Sequence, residues 1–381
     1  MTTLADCKTS QCLLKSILDS DDNKDLASGS KSLYCRLKNF LSEPDESLDP
    51  SPLVNSLLSE LVSYLQGSGN HPELSQNSRF AAVEDAICTQ IDKNEMLSSR
   101  ASAIRSLAIR AESRMELFWA RELLQENSVP HSSISAIDKV RMGSSDFPYT
   151  ENYVSMVQKE AAVIYSYVRR KNDTKSSVLQ DGGLIRRLQI AFCGSGPLPL
   201  TGILLAVIMD ADITLIDCDP EAVRVSRKLI QNWEQRHIIT PGQIKVICAD
   251  GGQVRFLGNN CSHGTGEMSR KMPSVKCDVF FLAALVPNAT KEEIAQNVSA
   301  MREDGPLVVL RTAHGLTARL AYFRNRRHIM TRYLDFIGLV APKTHDLGDG
   351  TIVDDDVRPI AFFSPEILNS LELFQWQESK V

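Results

Sequence analysis

The sequence predicts an α/β chain in which a doubly wound, mostly parallel sheet follows a separate α-helical N-terminal domain. Three observations carry that expectation. From about residue 188 onward, short apolar runs alternate with helical stretches, the pattern of strand–helix–strand units in a parallel sheet. The run Ile190-Ala-Phe-Cys-Gly194-Ser195-Gly196-Pro-Leu-Pro-Leu-Thr201 sets a paired-glycine turn between an apolar strand and a helix. Before about residue 170 no segment reads convincingly as a strand, while apolar residues recur at helical spacing.

The helical part, 1–175, is marked by two apolar faces. Leu53, Leu57, Leu58, Leu61 and Leu65 line one; Ile104, Leu107, Ala111, Met115 and Phe118 line another. Polar, proline- and glycine-rich connections at 42–52 and 67–72 separate its helices. Arg169-Arg-Lys-Asn-Asp-Thr-Lys-Ser-Ser is a solvated link into the sheet part, 185–381. There the expected strands are Leu188-Gln-Ile-Ala191, Ile213-Thr-Leu-Ile216, Ile244-Lys-Val-Ile247, the apolar run 277–286 and Leu307-Val-Val-Leu-Arg311. Helices are expected from near Leu200, over 220–234 and over 291–301. Residues 259–274 read as a surface insertion with little structure. In the tail, Phe336-Ile-Gly-Leu-Val-Ala and Val357-Arg-Pro-Ile-Ala-Phe-Phe are expected to pair as a closing antiparallel hairpin. That hairpin would separate a methyltransferase-type sheet from a dehydrogenase one.

The paired glycines let backbone N–H groups approach a ligand with no Cβ in the way. Pro197 and Pro199 stiffen the turn. Asp217 closes the next strand about twenty positions on, where a carboxylate can take both hydroxyls of a ribose. An adenosine-type ligand follows. A dinucleotide fingerprint wants a third small residue where Pro199 stands, so a pyrophosphate is a poor fit. S-adenosylmethionine carries no phosphate and suits the proline-stiffened loop better. Asp250, ending the third strand, can accept from an adenine amino group; the plainer reading is a helix cap or turn residue.

Composition narrows the class. The 381 residues are 43% hydrophobic and 23% charged with a net charge of −5, which argues against nucleic acid or anionic membrane as the main partner. No run is long enough for a membrane span, and Met1-Thr-Thr-Leu-Ala-Asp-Cys-Lys lacks a signal-peptide plan. The nine cysteines include no C-x-x-C and read as reduced thiols of a cytoplasmic protein. The histidines show no metal-binding pairing. The expected partner is therefore a small-molecule substrate, with no metal; an oligomer stays open.

Aromatic and amide groups crowd the block Phe147-Pro-Tyr149-Thr-Glu-Asn152-Tyr153. One reading makes Phe147 and Tyr153 core anchors with Asn152 capping the following helix. The other places tyrosine faces beside a sulfonium cation, where cation–π attraction of roughly 0.5–2 kcal/mol applies. Glu112 and Glu116 share one helix face, an arrangement usually solvated; Glu112 also precedes the aromatic patch Phe118-Trp119, which leaves burial on the inner surface of the helical domain open. Arg311 and His314 follow a buried strand, where α/β sheets place ligand-contacting groups; a lone histidine there is more often structural.

These residues resemble a family. The strings 191–201, 278–286 and Leu310-Arg-Thr-Ala-His-Gly315 are similar to the three best-marked blocks of the nicotianamine synthases. Phe147-Pro-Tyr149 with Asn152-Tyr153 and Glu160 resembles the block before that family's sheet, and Ala111-Glu112 with Glu116 its acidic pair. The resemblance runs with gaps from about Leu107 into the tail. It implies a Rossmann-like, class I methyltransferase-type sheet and transfer of the 3-amino-3-carboxypropyl group of S-adenosylmethionine to an amine, leaving methylthioadenosine. It further implies cofactor-site roles for Gly194, Ser195, Gly196, Asp217, Asp250 and Ala283, and substrate-orienting roles for Tyr153, Asn152, Arg311 and His314. Glu112, with Tyr149 hydrogen-bonded beside it, is the implied acceptor of the amine's proton. The alternatives are cyclisation of S-adenosylmethionine to azetidine-2-carboxylate by its own α-amino group, an ordinary small-molecule methyltransferase, and a nucleoside-binding module.

Overall fold

A computed structural model describes residues 36–37, 40, 44–65, 91, 93–125, 133–175, 187–257, 273–283, 286–299, 306–312, 334–340 and 370–376. The chain forms two compact units. The first comprises Met1–Phe118, Thr312–Asn325 and Ala341–Asn369; the second comprises Trp119–Arg311, Arg326–Val340 and Ser370–Val381. The helices over 136–175 fall in the second unit together with the sheet.

In the first unit, α1 (Pro52–Leu65) buries Val54, Leu57, Leu58 and Leu61. Leu53 does not join that face: it is 63% exposed and Val54 takes the buried position. The long α2 (Glu95–Gln125) begins where Asn94 Oδ1 accepts from the Leu97 N–H at 3.1 Å, an N-cap bond that satisfies an orphan donor of the first turn. Ile104, Leu107, Ala111 and Met115 are buried along it, as the periodicity predicts, with Ala101 and Ala108 beside them; Phe118 is only half-buried, and Leu117 next to it is buried instead. Arg114 reaches Asp49 at 2.6 Å.

The second unit holds α3 (Ala136–Gly143), α4 (Thr150–Lys175) and the sheet. Its strands are β1 (Gln189–Cys193), β2 (Asp212–Asp217), β3 (Ile244–Cys248), β6 (Val279–Leu282), β7 (Leu307–Thr312), β8 (Leu334–Val340) and β9 (Ser370–Trp376), in the order β3-β2-β1-β6-β7-β9-β8. β3, β2, β1, β6 and β7 run parallel. β6 is buried at every position, as a central parallel strand covered on both faces must be. Two short strands, β4 (Arg255–Leu257) and β5 (Ser274–Lys276), pair beside the main sheet. Ser274 therefore opens a strand; residues 259–272 of the expected insertion lie outside the described residues.

Three helices link the parallel strands. α5 (Leu200–Met209) is apolar all round and almost wholly buried, so it sits between layers. Gly202 lets it approach the sheet, because a Cβ there would come within 2.5 Å of Leu215 Cδ2. α6 (Pro220–Gln235) starts at Asp219, whose carboxylate accepts from the Glu221 N–H at 2.9 Å, with Pro220 in the first turn. α7 (Asn288–Ser299) follows β6. α3 and α4 pack on α5.

β8 and β9 form the antiparallel closure. The expected partner of the Phe336 run, Val357–Phe363, lies outside the described residues; Ser370–Trp376 pairs with it instead. The resulting fold is the doubly wound, Rossmann-like sheet of the class I methyltransferase type. Among the described residues no helix is long and apolar enough to cross a membrane.

Candidate nucleotide site and a buried acid

Strand order reverses between β1 and β6, and such a switch point is where open α/β sheets bind ligands at their carboxyl edge. The paired-glycine loop leaves β1 there. Gly194 and Gly196 have φ of 79° and 64°, left-handed conformations that glycine adopts without a Cβ penalty. The Gly194 N–H donates to the Ile216 carbonyl at 2.8 Å, fixing the loop to β2. A Cβ on Gly194 would meet Val286 Cγ2 at 2.9 Å and Ala283 Cβ at 3.1 Å. Ala283 is therefore brought to the loop, and its small side chain is what the close approach tolerates. Ser195 is buried, and its Oγ has no hydrogen-bond partner.

Asp217 ends β2 facing this loop. Its Oδ2 accepts from the Gly196 N–H at 2.8 Å and its Oδ1 from the Asp219 N–H at 2.9 Å. Burial raises its pKa despite these stabilising bonds. The Asp217 carbonyl also accepts from the Ala249 N–H at 2.9 Å, joining it to the turn that carries Asp250. Asp250 Oδ1 accepts from the Gly252 N–H at 2.9 Å and caps the short helical turn Gly251–Gln253. The plainer reading of Asp250 thus holds locally. Burial first, then the charges of Asp217 and Asp250, push the Cys193 thiol up. Gly194, Ser195, Gly196, Asp217, Asp250 and Ala283 therefore gather at one edge of the sheet.

At the end of β7, Arg311 donates through Nε and Nη2 to the two carboxylate oxygens of Glu160 at 2.7 and 2.9 Å. Both side chains are almost fully buried. The guanidinium lies 5.2 Å from the Phe281 ring centroid and 5.8 Å from that of Phe192. One edge of the Arg311 fork is thus committed to α4. Glu160 was legible as part of a family block but not as this partner; its signal was a glutamate on the buried stripe of Tyr153, Val157, Ala161 and Ile164.

Phe147 is the hub of the aromatic block. Trp119, Tyr149 and Tyr153 meet it edge-on with ring centroids 5.8, 5.7 and 5.8 Å away. Phe147 and Tyr153 are core anchors. Asn152 does not cap: it lies inside the first turn of α4, and Thr150 Oγ1 donates to the Ser144 carbonyl at 2.6 Å at the helix start. Tyr149 belongs to the second unit and Glu112 to the first. His314 lies outside the described residues.

Glu112 is 2% exposed, and its Oε1 has no hydrogen-bond partner. Burial, with Glu116 adding to it, raises its pKa well above the carboxylate range. Burial thus disfavours its charged form, and a cation placed beside it would favour that form. Among the described residues no cluster of histidine, cysteine, aspartate or glutamate could hold a metal ion.

The family model for nicotianamine synthase proteins matches residues 32–354. Among curated proteins, the probable nicotianamine synthase 3 of Hordeum vulgare is 26% identical over 275 residues, covering 71% of this chain and 63% of its own length. Nicotianamine synthase 3 of Oryza sativa subsp. indica is 23% identical over 285 residues, covering 71% and 70%. The chain thus spans somewhat under two thirds of the first of these relatives. Among solved structures, MtNAS in complex with MTA and tNA superposes with a TM-score of 0.56 at 18% identity, covering 91% of this chain and 96% of that one. A glutamate-to-glutamine mutant of MtNAS in complex with S-adenosylmethionine gives 0.53 at 18%, covering 92% and 100%. At that identity the likeness speaks for the fold, while the family model spans most of the sequence: this chain belongs to the nicotianamine synthase family.

Proposed function

We propose that the protein uses S-adenosylmethionine as a 3-amino-3-carboxypropyl donor. An amine attacks the γ-carbon, the S–Cγ bond breaks, and its electron pair returns to sulfur, which leaves as the neutral thioether of methylthioadenosine. The observation that carries this reading is the gathering of the paired-glycine loop, Asp217 and Asp250 at the switch point. Family membership supports the choice of carbon, as do the S-adenosylmethionine and MTA complexes of MtNAS.

In this reading Asp217 accepts from the ribose hydroxyls and Asp250 from the adenine amino group, with Ser195 and Ala283 lining the loop. Line-up of amine, γ-carbon and sulfur at about 3–3.5 Å supplies much of the rate advantage. An amine is mostly an ammonium at neutral pH, so a carboxylate must hold it and take its proton as the N–C bond forms. Glu112 fills that role: its raised pKa puts it nearer the amine than an exposed glutamate would be, with Tyr149 as its partner in the reaction. Asn152, Tyr153, Arg311 and His314 orient the substrate, and acceptor contacts come from the helices before residue 175. The free thiols Cys193, Cys218, Cys248 and Cys277 fit a reducing, cytoplasmic setting.

Glu112→Gln tests the assignment. The amide keeps the shape but cannot accept a proton. S-adenosylmethionine binding is expected to persist while turnover falls roughly 10²–10⁴-fold, the usual worth of a general base. Parental turnover in the variant would remove Glu112 from the chemistry.

A further inference from the structure

The turn that carries Asp250 is held from outside the site. Gly252 is bonded on both sides of its backbone: its N–H donates to Asp250 Oδ1 at 2.9 Å, and its carbonyl accepts from Asn297 Nδ2 at 2.7 Å. Only an amide N–H₂ can meet a carbonyl in this way, so the orientation of Asn297 is chemically determined. α7 also presses two further residues onto the turn. A Cβ on Gly252 would collide with the Glu293 carboxylate, and one on Gly251 would collide with Cys193 Sγ and lie 3.2 Å from Ile294 Cδ1. Glu293, Ile294 and Asn297 occupy one face of α7, and the two glycines allow it to close on the turn. Val254, just beyond, is fully buried, so the turn is pinned at its exit as well.

We propose that Asn297 is a positioning residue for base recognition. Through Gly252 it sets the Asp250 carboxylate so that the site takes 6-aminopurine nucleosides and rejects 6-oxopurine ones. The inference rests on the reading above that Asp250 accepts from the adenine amino group. A 6-amino group offers a donor to the carboxylate, whereas a 6-oxo group offers an acceptor, and two acceptors facing each other repel. The discrimination holds only while the carboxylate is held in place. Asp250 bonds the Gly252 N–H through its own oxygen, so a turn released at the Gly252 carbonyl carries Asp250 with it.

Calorimetric titration of the full chain with methylthioadenosine and with methylthioinosine, its 6-oxo counterpart, tests this. The ratio of the two dissociation constants should be on the order of 10–100 for the parent, the worth of one hydrogen bond to a charged group. Asp250→Ala should bring the ratio to about one. Asn297→Leu and Asn297→Asp both remove the donor at similar size, and both should lower the ratio several-fold. Adding Asn297→Leu to Asp250→Ala should lower it no further. A parental ratio in both Asn297 variants, alongside a collapsed ratio in Asp250→Ala, overturns the positioning role and leaves the adenine reading standing. Asn297 variants that weaken both nucleosides equally, or that unfold the chain, make the residue structural and overturn it too. A parental ratio in Asp250→Ala removes the adenine reading itself, and the inference with it.

Discussion

Replacing Asp217 by alanine removes two acceptors from two different backbone donors. The Gly196 N–H, in a half-buried loop at 2.8 Å, is a hydrogen bond to a charged group worth about 1.5–3 kcal/mol. The Asp219 N–H belongs to an exposed residue and finds water instead. On binding, ribose hydroxyls left unpaired cost a further 1–3 kcal/mol or so. Against these stands the relief of no longer burying a charge, the cause of the raised Asp217 pKa. The net is about 2–4 kcal/mol, or roughly a 30- to 1,000-fold loss of affinity. Asp217→Asn divides the two effects: its single oxygen can still hold the Gly196 N–H while its NH₂ turns to the exposed side, so its loss should fall between alanine and parent. Calorimetry with methylthioadenosine, which is not turned over, reads both variants. A folded Asp217→Ala with parental affinity would remove Asp217 from the site, and Asp217→Asn as weak as Asp217→Ala would refute its latch on the loop.

Glu160→Gln should lower stability by about 3–5 kcal/mol, because it leaves the buried Arg311 charge without its carboxylate; Glu160→Gln combined with Arg311→Met should recover most of that in a denaturant melt, and a near-neutral single variant would contradict the pairing. Glu112 carries a pH signature. Its folded pKa is raised above 4.5, so the stability it contributes is fully present below about pH 4.5 and is lost as pH rises through the raised value. Glu112→Gln titrates nothing there, so its melting temperature should gain on the parent's as pH rises from 4.5 to 8, and parallel curves would place Glu112 in solvent.

The parallel core was legible because its signals are local. β1, β2, β3, β6 and β7 are apolar runs bounded by polar turns, and Gly194, Gly196, Asp217 and Asp250 stand at strand ends, the places where the strand–turn–helix order raises the expectation of a ligand. The contacts that lock the site were not legible, because they join distant positions: Glu160 to Arg311 across 151 residues and Asn297 to Gly252 across 45. No spacing rule names such partners. The β9 strand was missed for a different reason. Leu371-Glu-Leu-Phe-Gln-Trp376 is broken by two polar residues, and the run at 357–363, ending in Ile-Ala-Phe-Phe, drew the expectation away from it. Leu53 shows the limit of periodicity, since Val54 beside it fits the same stripe and is the one buried.

The measurement that bears most directly on the chemistry is the fate of S-adenosylmethionine incubated alone with the purified protein, followed by chromatography and mass spectrometry of both product halves. The proposed reaction yields methylthioadenosine together with an amino acid that has gained one or more 3-amino-3-carboxypropyl units. Azetidine-2-carboxylate with methylthioadenosine would keep the γ-carbon as the point of attack but move the nucleophile into the donor itself. Adenosylhomocysteine in place of methylthioadenosine would mean that the methyl carbon is attacked, and would contradict the account.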